Sequence, residues 1–134
     1  MRKENWLECL NEYLDSVYDK PFEWGSHDCC HFAAGAVHAM TGNETMLGIK
    51  YKTKTGAVRL IKKIPLDKRL EKIFGKSIAL AAAKRGDMIY RTFDGWPSVG
   101  VCIGENALFV GQEGAREGLV SMPTLKCVKA FTNG

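Results

Sequence analysis

The stretch that most constrains this chain runs from Asp28 to Gly42. Cys29, Phe32, Ala33, Ala36, Val37 and Met40 recur at steps of three and four. An α-helix from about Cys29 to Met40 therefore carries one continuous apolar stripe, which must be buried against another element. Asp28 or Ser26 can cap its start and Gly42 can end it. His31, Gly35 and His38 fall on the opposite face. The first residue of the stripe is thus a thiol at the positive end of a helix, beside N–H groups with no helical partner. That position favours thiolate over thiol and can make a cysteine nucleophilic. The plainer alternative is a small buried apolar side chain, the commonest fate of an unpaired cysteine.

What could cover the stripe lies at either end of the chain. Upstream, Trp6, Leu7, Leu10, Tyr13, Leu14 and Val17 mark a helix over residues 4–18, with Pro21 just past its end. Ala57, Leu60, Ile61 and Ile64 suggest a third helix, broken at Pro65, and Leu66, Leu70, Ile73 and Phe74 a short fourth that ends at Gly75. After Gly86-Asp87 the pattern changes. Met88–Arg91, Val99–Ile103, Ala107–Gly111, Leu119–Met122 and Lys126–Phe131 are short and rich in Val, Ile, Phe and Tyr, with glycines and prolines between them. Helices first and strands later predict an α+β fold, its N-terminal helices packed on a C-terminal antiparallel sheet.

The chain has 134 residues, 46% hydrophobic and 25% charged, which suits one domain over 1–134 with a core of its own. No apolar run approaches the roughly 20 residues that span a bilayer, and the N-terminus has no secretory h-region. Synthesis and folding in a cytoplasm are expected. The five cysteines, 9, 29, 30, 102 and 127, are odd in number and follow no framework spacing, so they read as free thiols. The net charge of +4 is uneven: −5 over residues 1–49, +8 over 50–76 and +1 over 77–134. The basic belt from Lys50 to Lys76 lacks a recognised nucleic-acid module, and its aromatic residues, such as Tyr51 and Phe74, are too sparse for base stacking. A solvated face or an acidic partner protein suits it better than nucleic acid.

Three segments together resemble a known superfamily. Phe22-Glu23-Trp24-Gly25-Ser26-His27-Asp28-Cys29-Cys30-His31-Phe32 resembles the nucleophile segment of NlpC-type, papain-like cysteine peptidases, where an aromatic-Gly turn leads to Asp-Cys at a helix start. Gly86-Asp87-Met88-Ile89 and Ser98-Val99-Gly100-Val101-Cys102-Ile103-Gly104 resemble two later strands of that fold. The set, with Gly118-Leu119-Val120-Ser121-Met122-Pro123, is most similar to a phage and prophage branch of unknown function from tail-assembly gene clusters. The resemblance implies an NlpC-type fold with Cys29 as candidate nucleophile, and a cleft lined by Trp24, Asp28 and Trp96. It also implies tail-tip or hub proteins as partners, a peptidoglycan peptide as a further ligand, no cofactor, and a protein made in the host cytoplasm and assembled into the virion tail.

The departure from the pattern is at position 98, where the superfamily keeps its catalytic histidine and this chain has Ser98. A serine cannot take a thiol's proton near neutral pH or return it to a leaving amine. His31 sits about 200° around the helix from Cys29, and His38 roughly 13.5 Å along its axis, so neither reaches the thiol. His27 would have to fold back over the cap. Gln112 follows a strand and could polarise a carbonyl. His27, Cys29, Cys30 and His31 are too closely spaced around a helix start for a metal site. Asp87, in a Gly-Asp turn, reads as structural. The expectation is a tail component with a degenerate peptidase site. The alternatives are a peptidoglycan peptidase or amidase using Cys29 to open the cell wall during DNA delivery, and a nucleic-acid-binding module using the basic belt.

Overall fold

The structure is a computed structural model and describes residues 2–45, 51–93, 95–113 and 116–133, without the side chains of 112–116. Among the described residues four α-helices precede five strands: α1 (Trp6–Val17), α2 (Cys29–Thr41), α3 (Lys54–Lys63), α4 (Leu66–Phe74), β1 (Met88–Phe93), β2 (Trp96–Cys102), β3 (Asn106–Glu113), β4 (Arg116–Pro123) and β5 (Lys129–Phe131). The strands form one antiparallel sheet in the order β4-β3-β2-β1-β5. Among the described residues no helix is long and apolar enough to cross a membrane.

The expected stripe is the centre of the fold. Phe32, Ala33, Ala36, Val37 and Met40 of α2 are buried with Leu10 and Leu14 of α1 and with Met88, Val99, Val101 and Phe131 of the sheet. Gly35, expected on the open face of α2, faces α1 instead. A Cβ there would stand 2.2 Å from the Tyr13 hydroxyl, which donates to the Phe32 carbonyl at 2.9 Å. The glycine thus permits the two helices to close on each other, while burial pushes the Tyr13 phenol up to about 12. Gly42 ends α2 in the left-handed conformation at φ 78°, its N–H bonded to the His38 carbonyl. The sheet's other face buries a second, smaller cluster of Ile89, Cys102, Ala107, Phe109, Cys127 and Ala130.

The strand ends differ from the sequence expectation, most at the starts of β2, β4 and β5. The Ala-rich residues 78–83 bridge to Ala130 through Ile78 and form a 3₁₀ turn, Leu80–Ala82, and Thr124–Lys126 forms another, which delays β5 to Lys129. β2 begins at Trp96 rather than Val99 and takes Pro97 into a central strand, where a missing N–H should cost a ladder bond. The reason is the pairing. Pro97 opposes Thr92 of β1, but β2 meets β3 only at Val101↔Leu108 and Cys102↔Ala107. On the β3 side Pro97 therefore owes no hydrogen bond, and the two strands fork beyond Val101.

Asp87 holds the start of β1. It accepts from the Lys84 and Asn133 N–H groups and from Arg2, whose guanidinium also donates to the Arg85 and Asn133 carbonyls. The helices of the basic belt pack through their apolar sides, with Leu66 and Leu70 buried. Asp67 pairs with Lys129 at 3.0 Å, and Lys50 lies outside the described residues.

Candidate functional site

The site is built at the first turn of α2. Asp28 is the N-cap: fully buried, it accepts from the His31 N–H at 2.9 Å with one oxygen and from the Gly25 N–H at 2.9 Å with the other. Gly25 makes that loop possible, because it sits at φ 83° with the Lys52 backbone 2.5 Å from where a Cβ would be. The His31 ring returns to the same carboxylate through Nδ1 at 2.8 Å and stands edge-on to Tyr51, ring centroids 5.2 Å apart. Asp28, expected in the cleft wall, thus lies beneath it as a buried hub.

Above this hub the two cysteines divide the space. Cys30 is buried in the core; Cys29 is only half-buried and faces the cleft. Their Sγ atoms are 3.9 Å apart. The strongest influence on Cys29 is a hydrogen bond from the Cys30 thiol, which lowers its pKa. Burial opposes this, the Val99 N–H lowers the pKa again, the Asp28 charge raises it, and the Ser98 hydroxyl lowers it last. The net direction is down, because three neutral donors converge on the sulfur at a helix N-terminus. Cys30 moves the opposite way, well above an ordinary thiol, first through its hydrogen bond with Cys29, then through burial and the neighbouring Cys29 and Asp28 charges. Of the two thiols, Cys29 is the readier to ionise.

Two cavities meet at Cys29, and Trp24 and Trp96 line both. Their rings cross edge-to-face at 6.0 Å, with Phe22 packed against Trp24 at 4.8 Å. The smaller cavity, about 20 Å³, runs toward Tyr51, α3 and Arg69 of α4. The larger, about 310 Å³, lies in the fork between β2 and β3 and is lined by Ser98, Arg91, Phe93, Phe109 and Val120 among others. None of the described residues lining either cavity is a histidine.

The expected histidines lie elsewhere. His31 is committed to Asp28. His38 is exposed, 3.3 Å from Glu44. His27 is buried against Phe32 at 6.2 Å, its Nε2 without a hydrogen-bond partner, and burial followed by the Lys20 charge lowers its pKa. These directions also scatter the His27-Cys29-Cys30-His31 quartet, so the four do not converge on a common point. Gln112 lies in β3, but its side chain is outside the described residues. Sequence reasoning missed Cys30, Tyr51 and Arg91. Cys30 was legible as a second thiol beside the first; Tyr51 and Arg91 are joined to the site only by tertiary packing.

A thiol at the N-terminus of a buried helix, packed on an antiparallel sheet with its cleft between diverging strands, defines an NlpC/p60-type α+β fold. The crystal structure of the NlpC/p60 domain of the peptidoglycan hydrolase SagA is similar over 96% of this chain and 98% of that one, with a TM-score of 0.61 and 18% sequence identity. At that identity the likeness speaks for the fold alone. The chain belongs to the family described as Domain of unknown function (DUF6950), whose family model matches residues 1–133. No curated protein matches it in sequence.

Proposed function

We propose that this protein is a phage tail-associated component with an NlpC-type fold, whose Cys29 cleft binds a ligand but does not hydrolyse amide bonds. The observation that carries the proposal is the hydroxyl of Ser98 beside the Cys29 sulfur, where the resembling peptidases keep an imidazole. Amide cleavage needs a proton delivered to the leaving amine. Ser98 cannot deliver it, and Cys30, with its raised pKa, holds its proton too firmly. The tail assignment rests on the resemblance of the ordered motifs. In that setting the protein is made in the host cytoplasm and acts as a structural or hub-associated part, with tail-tip or hub proteins as partners.

A second reading has its own support. The lowered Cys29 pKa makes this thiol readier to ionise than an ordinary cysteine, the direction an acyl-transfer nucleophile requires. Peptidoglycan peptide would then be the substrate, and cell-wall opening during DNA delivery the role. One experiment separates the two: incubation of the purified protein with muropeptides, beside Cys29→Ala. The binding role expects no new products from either protein; products from the native chain that vanish in the variant overturn it. The tail role is tested by co-purification with tail-tip proteins expressed from the same gene cluster, and no complex with any of them overturns it.

A further inference from the structure

The larger cleft has a chemical character that the fold does not dictate. Five aromatic side chains line it: Phe22, Trp24, Phe93, Trp96 and Phe109. Two of these sit at its rim, Phe22 at 40% exposure and Phe93 at 59%. Val110, Gly111 and Val120 complete an apolar wall. Among the described residues in that wall there is one charge, Arg91, and no carboxylate. Exposed aromatics around a preformed hollow are costly in water and mark a place for an apolar ligand.

Arg91 is set for a ligand rather than for the fold. It lies across the β1–β2 ladder from Ser98, so its strand position is tied to the site. Its guanidinium rests over Phe93 at 4.9 Å and over Phe109 at 5.7 Å, with Nη1 against the Met122 sulfur and Nε at 3.4 Å from the Thr92 carbonyl. No carboxylate of the described residues forms an ion pair with it. A cation held on aromatic faces keeps its planar fork of donors, which suits a carboxylate.

We infer that the fork between β2 and β3 binds a small amphipathic carboxylate, its anionic end on Arg91 and its apolar body among Trp24, Trp96 and Phe109, reaching toward Cys29. A cavity of about 310 Å³ takes a body of roughly six to ten carbon atoms. Two sources share this chemistry, a medium-chain acyl carboxylate and the C-terminus of an apolar peptide. The inference deepens the proposed function and rests on the Cys29 cleft being a ligand site.

The test is titration of the intact protein followed by tryptophan fluorescence, since Trp24 and Trp96 form the wall. Octanoate represents the acyl source and N-acetyl-L-leucine the peptide C-terminus; octan-1-ol and n-octylammonium are the neutral and cationic controls. A saturable response to at least one carboxylate is expected, at least about tenfold tighter than to octanol or octylammonium. The tighter of the two carboxylates identifies the source. Arg91→Gln should remove the preference for the carboxylate, and Arg91→Lys should restore part of it. Octanol or octylammonium binding as tightly as both carboxylates, or no saturable response to either carboxylate, overturns the inference. The comparison among ligands on the native chain stands even if Arg91→Gln does not fold. The fluorescence readout does not depend on thiol chemistry: muropeptide cleavage would overturn the non-hydrolytic reading and leave the ligand class to the titration, and an indifferent titration would do the reverse.

Discussion

The Sγ atoms of Cys29 and Cys30 lie 3.9 Å apart, one thiol opening on the cleft and the other buried beneath it. The pair is unequal in acidity. Cys29 is pulled down by its donors, the first of them Cys30, and Cys30 is pushed up. Alkylation by iodoacetamide followed against pH should show Cys29 inflecting below the ordinary thiol range of about 8.5. Cys30→Ala removes the leading donor and should move that inflection upward, slowing alkylation at pH 7 several-fold. An inflection that stays put in Cys30→Ala would mean that the Val99 N–H and the helix terminus hold the thiolate without Cys30.

Asp28 predicts the opposite sign. Its charge raises the Cys29 pKa, so Asp28→Asn should lower the inflection further while keeping one cap oxygen. Asp28→Ala should instead cost about 2–4 kcal/mol of stability, read by urea unfolding, because the Gly25 and His31 N–H groups and the His31 ring all lose their acceptor. The linkage follows from the same directions. Stability contributed by the Cys29 thiolate is full above the ordinary thiol pKa and fades as pH falls through its lower folded value. Stability contributed by neutral Cys30 is full below the ordinary pKa and is lost as pH rises through its raised folded value.

Ser98→His would put an imidazole beside a thiol already inclined to ionise. If the base is what the site lacks, this variant should hydrolyse p-nitrophenyl acetate at least about tenfold faster than the native chain, with the gain lost in the double variant with Cys29→Ala. An equal rate in Ser98→His and the native chain would place the defect elsewhere than at position 98.

Gly35→Ala tests the closeness of α1 and α2. Its Cβ would stand 2.2 Å from the Tyr13 hydroxyl and 2.6 Å from the ring carbon that bears it, so a substitution favourable to an isolated helix should here destabilise by about 1–3 kcal/mol. Chemical denaturation gives the number directly, and a neutral or stabilising outcome would mean that the helices pack farther apart.

Several parts of the fold were written in local sequence. The α2 stripe predicted the helix, an N-cap at Asp28 or Ser26, of which Asp28 serves, and its end at Gly42, because apolar period and capping chemistry act over a few residues. The switch after Gly86-Asp87 predicted the antiparallel sheet for the same reason. The β2 boundary was missed at Pro97, since a proline argues against a central strand unless the neighbouring ladder has already parted. Cys29 was expected on the buried stripe; it is half-buried and Cys30 is inside, because the first turn of α2 meets the fork between β2 and β3, where the sheet does not cover it.

The sequence by itself determined a thiol at a helix terminus and the fold class, since each depends on residue identity and short-range order. Tertiary structure alone decided what surrounds the thiol. Tyr51, Arg91 and Phe109 come from three separate segments, and only the forking of two strands and the close packing of α2 bring them to the two cavities at Cys29. The reason is physical: periodicity reports which face of an element is buried, whereas the identity of the groups facing it across the core is fixed by long-range packing.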